Sequence, residues 1–555
     1  MATVTLNLPV ESEIAERIKK AIIIIILFTG TNISAQSIPY LKKQGSATQL
    51  MVGEKPFLLL GGELGNSVAA DSVKIKFIFP QLKVLNLNTV LAPVYWELME
   101  PKEGRFDFAL IDVLIREARK EELKLVLLWF GSWKNSMSCY APSWVKSDRN
   151  RFPYTEKSDG KTVEIMTAFS EENLNADKKA YIALMQHIKE VDSKENTVIM
   201  MQVENEIGMI PEAREQGKTA DAYFKSDVPA RLINYLKTNR ANLQPHLSEK
   251  WSSSGYALKG NWETLFGSDI YTDELFQAWY FARYTEEITR AGKSVYNLPV
   301  FVNAALNTRK REPGAYPAGG PLPHLLDIWR AGAPSIDFIA PDIYDPPFDY
   351  WCGQYHAKGN PLFIPETLRG DHTAARVFYA FGEHDAMGFC PFAIELTDNP
   401  LEEPLRKSYE LLDRLSPLLL SVQGKNEMKA CWLHPENLRA TVELGDYVFH
   451  ISHDYTLSWS PGNKETKENW PETGALIIRL AGNEFIVAGT GIVIRPELKK
   501  QRNKSTGLLS CDKGTFENRI WIPIQRLNGD ETHQGRHVRI PYGEFDIQRF
   551  SLYEY

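Results

Sequence analysis

From about residue 50 onward, short apolar runs alternate with longer stretches whose apolar residues recur at helical spacing. The apolar runs predict strands over 57–63, 89–96, 124–131, 197–205, 298–305, 336–344, 361–366 and 388–395. Helical patterns fall between them, for instance over 108–122, 170–191 and 273–291. Strand and helix in regular alternation are the mark of βαβ units and a parallel sheet. Eight such units predict a closed (β/α)8 TIM barrel of the α/β class. An open doubly wound sheet would want a phosphate-binding turn after its first strand. Gly61-Gly62-Glu63-Leu64-Gly65 lacks the G-x-G-x-x-G spacing, and no Walker sequence occurs. Gly489 and Gly491 sit between two strand-like runs and read as a tight turn.

The texture changes after about residue 415. Short alternating runs over 447–451, 475–480, 484–487, 519–524 and 537–540 predict a smaller all-β domain, a sandwich or jelly roll. A helix over 405–415 closes the barrel, and Ser416-Pro417 begins the link. At the other end, Arg17, Lys19 and Lys20 precede an apolar run from Ala21 to Phe28, followed by Ser34-Ala35-Gln36. That order is the layout of a secretory signal cleaved after Ala35. The acidic Glu11, Glu13 and Glu16 do not fit a signal's leading region; a start placed too far upstream accounts for them. The expected division is therefore 1–35 signal peptide, 36–415 catalytic barrel and 416–555 C-terminal β domain. Export to the periplasm or the exterior follows, with no stable membrane anchor, since the apolar run is short of the roughly 20 residues a span needs.

Composition narrows the partners. The chain has 555 residues, is 24% charged, and carries a formal net charge of −7, so it holds no basic excess for nucleic acid. Five cysteines without CxxC spacing indicate neither a disulfide framework nor a zinc site. The 11 histidines include no HExxH, and no metal or other cofactor is expected.

Barrel enzymes place catalysis at the C-terminal ends of their strands, so the polar residues that end each apolar run are the candidates. Strand four ends Met201-Gln202-Val203-Glu204-Asn205-Glu206, and strand seven ends Phe363-Ile364-Pro365-Glu366. A carboxylate at the end of an apolar run is costly to bury unless it is paired or functional. Two of them facing each other across a barrel mouth are what glycoside hydrolysis requires: a protonated carboxyl for the leaving oxygen and an ionised one for the anomeric carbon. Glu204, two residues before Glu206, is expected to lie deeper in a buried hydrogen-bonding role.

Gln202-Val203-Glu204-Asn205-Glu206 resembles the QVENE motif of glycoside hydrolase family 35, the β-galactosidases of clan A. Tyr95-Trp96-Glu97 with Glu100-Pro101, Gly104 and Phe106-Asp107-Phe108 resembles the same family's second-strand segment. The resemblance extends over roughly residues 50–400. It implies a retaining exo-glycosidase acting on a carbohydrate by double displacement, with Glu206 as acid/base, Glu366 as nucleophile and Asn205 on the sugar's 2-hydroxyl. It further places Tyr95, Glu97 and Asn135 in the sugar subsite and Tyr344 as a hydrogen-bond donor to the nucleophile; independently of it, Trp351 falls on a predicted loop where an aromatic platform would stack on a sugar. Two departures bear on the sugar. Gly65-Asn66-Ser67 replaces the aromatic segment after the first strand, and Met137 stands where the family has a glutamate for galactose hydroxyls. Release of terminal galactose is the first expectation. A retaining enzyme for arabinose or glucose, and a catalytically inert carbohydrate-binding protein, are the alternatives.

Overall fold

The computed structural model describes residues 37–307, 311–500, 504–517 and 519–555; the signal peptide expected over 1–35 lies outside them. Eight strands form the closed barrel: β1 (Leu59–Glu63), β2 (Thr89–Tyr95), β3 (Lys124–Lys134), β4 (Val198–Asn205), β5 (Val300–Ala305), β6 (Phe338–Ile343), β7 (Ile364–Thr367) and β8 (Gly388–Pro391). Each pairs in parallel with the next, and β8 returns to β1. A helix follows each strand: α1 (Ser72–Val84), α2 (Ala109–Lys120), α3 (Glu171–Asp192), α4 (Ile270–Val295), α5 (Leu326–Gly332), α6 (Phe348–Tyr355), α7 (Thr373–His384) and α8 (Pro404–Val422). The strands read as continuous apolar runs because both faces are covered. Every residue from Leu125 to Phe130 is buried, half against the helices and half inside the barrel.

Three local departures from the sequence reading have physical causes. The first apolar run is split, and Lys55–Phe57 pairs instead with Ala47–Val52, which in turn pairs with Tyr40–Gln44, in a small antiparallel sheet. Gln49 pins that sheet to α8 through a 2.7 Å bond to the Leu420 carbonyl. Strand β3 runs past Gly131 to Lys134, and this extension carries side chains over the barrel mouth. Helix α8 continues through Pro417 to Val422, so Ser416-Pro417 is not the start of a link. Proline cannot donate to the Asp413 carbonyl four residues back, and the Ser416 hydroxyl takes that acceptor at 2.7 Å.

Beyond α8 the chain forms a six-stranded and a four-stranded antiparallel sheet packed face to face. In strand Thr473–Ala481 the side chains alternate between two cores. Ala475 and Ile477 join Phe449, Phe485 and Phe550 between the sheets, whereas Leu476 and Ile478 belong to the barrel's core. The six-stranded sheet therefore rests on α7, the helix after β7. Contact is close enough to need glycine: a Cβ on Gly382 of α7 would lie 2.7 Å from the Cβ atoms of Ala430 and Leu476. Arg376 of α7 closes the joint with two bonds, of 2.9 and 2.6 Å, to Glu472. Among the described residues no helix is long and apolar enough to cross a membrane.

Gly382→Ala should lower stability by about 1–3 kcal/mol, the usual cost of overpacking a tight contact. Gly353→Ala in α6, where an added Cβ meets nothing within 4 Å, should not lower it. Urea midpoints of the two variants check this; equal midpoints would show that α7 is free to shift off the sheet.

Candidate active site

Four buried carboxyl groups converge at the C-terminal mouth of the barrel. Glu63 ends β1, Glu206 follows β4, Asp342 lies near the end of β6, and Glu366 sits on β7. Glu206, Asp342 and Glu366 each place an oxygen within 4.8 Å of the others. Groups this close share a proton or a cation. The local cation is Lys134, the last residue of β3, whose ammonium donates to the Asn205 side-chain carbonyl at 2.8 Å.

Amides set the geometry. Asn303 on β5 accepts the Glu206 backbone N–H at 3.1 Å and donates to Asp342 at 2.6 Å and to Glu366 at 3.4 Å. Because Lys134 occupies the carbonyl end of Asn205, its NH2 is turned to Glu366 at 3.3 Å. Tyr344 donates to the other Glu366 oxygen at 2.8 Å. Asn135 donates to Glu206 at 2.5 Å. It reaches there because Lys134 and Met137 pair their backbones around Asn135 and Ser136, both at positive φ (50° and 65°), the signs that a type I′ turn uses. The turn is docked on the tip of β4 by Asn135 N–H to Asn205 O at 3.2 Å and Ser136 N–H to Glu206 O at 3.1 Å.

Strand alternation does not hold at the tip of β4. Glu204 and Glu206 have φ of 61° and 46°, sparsely populated values for residues with a Cβ and the kind of strain held at functional sites. Glu204 consequently points out of the barrel, accepts the Trp133 N–H at 2.7 Å and lies against Asp177 of α3. Glu206 is left facing the mouth.

Burial, and next the charge of Glu366, push Glu206 up to about 7, with Lys134 pulling the other way. Burial first and then Glu366 hold Glu63 and Asp342 well above the ordinary carboxylate range. Neither oxygen of Glu63 meets a donor, and Oδ1 of Asp342 meets none. Protonated, Glu63 can donate to Glu366 and Asp342 to Glu206, both of which lie beside them. Burial and the neighbouring Glu366 raise the Tyr344 hydroxyl, so it stays a donor.

Of the residues singled out from sequence, the structure brings Glu206, Glu366, Asn205, Asn135 and Tyr344 together. Tyr95 and Glu97 make no hydrogen bond or ion pair with this cluster. Tyr95 is buried, stacked on Tyr140 at 5.4 Å, and Glu97 in the short helix Trp96–Met99 faces Lys146 at 3.7 Å. Trp351 is on α6 and lines a separate cavity. Sequence reasoning missed Glu63, Lys134, Asn303 and Asp342 as members of the site. Glu63 carried a usable signal, a carboxylate closing the run 57–63; Asn303 and Asp342 carried a weaker one, a single polar residue two positions before a run's end, and Lys134 lies beyond the apolar run 124–131.

Residues 71–274 match the profile of glycoside hydrolase family 42, described as beta-galactosidase. Family 35, to which the QVENE motif pointed, gains no support from this match. Residues 405–539 match a domain of unknown function, DUF5597. None of the curated proteins matches the sequence. Among solved structures, the beta-galactosidase from Bacillus circulans sp. alkalophilus is similar at 13% identity and a TM-score of 0.45, over 65% of this chain and 57% of that one. The cold-adapted beta-galactosidase from Rahnella sp. R3 is similar at 15% and 0.45, over 68% and 58%. That from the psychrophilic Marinomonas ef1 is similar at 10% and 0.45, over 66% and 60%. The chain thus spans less than two thirds of the length of these proteins.

The raised Glu206 has a stability consequence of definite sign. Between its ordinary value of 4.5 and about 7, the folded state holds a proton that the unfolded state releases, so stability falls as pH rises through that window. Glu206→Gln escapes this cost. It should match wild type below pH 4 and exceed it by on the order of 3 kcal/mol above pH 8. Denaturant unfolding at the two pH values measures the difference, and a pH-independent difference refutes the assignment.

Proposed function

We propose that the chain is a retaining clan A glycoside hydrolase, a β-galactosidase related to family 42, that releases terminal galactose by double displacement. The observation that carries this reading is the separation of Glu206 and Glu366. Each places one oxygen within 4.8 Å of the other, which accords with the separation of about 5–5.5 Å at which one carboxylate attacks directly better than with the roughly 6.5–9.5 Å of inverting enzymes. The family 42 match supports it from a different direction, since residues 71–274 include Glu206. Glu366 lies beyond that stretch and rests on geometry.

Each step has its group. Glu206, protonated near neutrality, donates to the leaving oxygen as Glu366 attacks the anomeric carbon and forms a glycosyl ester. Glu206, now ionised, takes a proton from water, which opens the ester with a second inversion and a net retention. Tyr344 holds one oxygen of the Glu366 carboxylate and the amides of Asn205 and Asn303 hold the other. The Asn205 NH2, which bonds Glu366 at 3.3 Å, is placed to meet the sugar's 2-hydroxyl, a contact that strengthens at the transition state. Met137 favours a second reading, in which the same machinery serves arabinose or glucose, because no carboxylate at that position meets the sugar.

A panel of aryl β-glycosides tests the function, with a 2-fluoro-β-galactoside as the trap. Turnover of the galactoside and covalent mass on Glu366 are expected. Turnover of a non-galactoside alone sinks the galactosidase reading, and turnover of none leaves a binding protein. Glu206→Ala should lose about 10²–10⁴ in rate on a substrate with a poor leaving group, and azide should restore turnover of an activated one as a β-glycosyl azide. In wild type kcat/KM should fall above about pH 7 as Glu206 loses its proton. An α-azide product, or a rate unchanged up to pH 9, contradicts these roles.

A further inference from the structure

A cavity of about 210 Å³ opens on the same end of the barrel but contains none of the four carboxylates. Its walls come from the continuations of two adjacent strands. Asn307 lies two residues beyond β5, the strand of Asn303; Tyr350, Trp351 and Gln354 lie on α6, which follows the Asp342 strand β6. Gln244 and His246, at the start of helix Pro245–Ser253, complete the part that matters here. Four residues of chain, at most about 14 Å, separate Asn303 from Asn307.

The walls leave complementary polar atoms unsatisfied. Trp351 is 3% exposed, yet its Nε1–H has no acceptor among the described residues. Asn307 Oδ1 and His246 Nε2 are likewise buried without partners among the described residues. Such atoms are costly to leave unpaired, and here three fall on residues of one cavity. A donor, an acceptor and an imidazole nitrogen that serves as either match hydroxyl groups, each of which donates and accepts. No lysine, arginine or carboxylate is among the nine lining residues. The nearby buried Glu274 is occupied by His324 at 2.8 Å and Tyr316 at 3.1 Å. Burial also lowers His246, keeping it neutral. The chemistry therefore suits an uncharged polyol, and the indole beside Tyr350 offers an apolar wall for a sugar's C–H face.

We propose that this cavity is a subsite for a neutral pyranose unit, the leaving-group portion of the glycoside whose terminal sugar is cut at Glu206 and Glu366. This rests on the hydrolase reading above. It predicts an enzyme matched to oligosaccharides, with affinity contributed well away from the bond that breaks.

The test uses the full chain. Trp351→Phe keeps an aromatic ring and deletes the indole N–H, and Asn307→Ala removes a half-buried amide. With a galactosyl-β-1,4-glucose disaccharide as substrate, either variant should raise the ratio of its KM to that of an aryl galactoside five- to tenfold. Methyl β-D-glucoside should bind Glu366→Gln by saturation-transfer NMR, and binding should weaken by the same factor when Trp351→Phe or Asn307→Ala is added. If galactosides are turned over but neither ratio moves, the subsite is refuted while the hydrolase stands. If no glycoside is turned over, the glucoside titration still decides the cavity, and its failure to bind overturns the proposal. Should Trp351→Phe unfold, Asn307→Ala carries both measurements.

Discussion

Four carboxyl groups at one barrel mouth, with the ammonium of Lys134 beside them, cannot all be ionised, and the arrangement of the site follows from that constraint. Each proton withheld from one carboxyl is settled on another by burial and by the nearest negative charge. Glu63 and Asp342 are the ones held furthest toward the neutral form. Glu366 is the one with three donors, Tyr344, Asn205 and Asn303, aimed at its oxygens. Those donors fix how Glu366 faces the mouth, the position that the proposed reaction gives to its nucleophile. The division of labour between Glu206 and Glu366 is thus a property of the whole cluster, and the titration it shows belongs jointly to its members.

That cluster depends on backbone placement more than on packing of the side chains themselves. Positive φ at Glu204 and Glu206 turns one glutamate out and one in, and a second pair at Asn135 and Ser136 carries Asn135 over the mouth. Such conformations persist only where the surroundings over-determine them. Here the surroundings are the Asp177, Glu204 and Trp133 contacts behind the strands, the backbone bonds from 135 and 136 to the tip of β4, and the Asn303 clamp on the Glu206 N–H. On the opposite side, α7 is wedged against the C-terminal sheet by Gly382 and the Arg376–Glu472 pair. The β domain therefore helps fix the helix that follows the nucleophile's strand, a positional role that requires no sugar binding of its own.

The fold was legible because period carries it. Strands covered on both faces read as unbroken apolar runs, and helices between them read at 3.6. What period does not reveal is where a strand exceeds its apolar run. β3 continues through Ser132, Trp133 and Lys134 because those residues bond Asp177, Glu204 and Asn205, partners distant in sequence. Lys134 was invisible for that reason alone. Glu206 and Glu366 were legible because each carboxylate ends an apolar run. Asn303 and Asp342 sit inside their runs, two residues before the ends, and went unread as members of the site, since a single polar residue near a strand tip says nothing of what faces it across the barrel.

Motif reading was weakest where it extrapolated from local similarity to side-chain direction. Tyr95-Trp96-Glu97 begins a short helix whose first residues turn toward Tyr140 and Lys146, so the likeness of letters did not carry a likeness of contacts. The same lesson bears on the sugar. Met137 closes a turn whose function is to aim Asn135, and the turn needs only backbone pairing from position 137. That position is consequently free to vary without disturbing Glu206. The carboxyl pair and the rim around it are thus separable in this barrel: the first is set by strands β4 and β7, the second by what the turns and helices after the strands present.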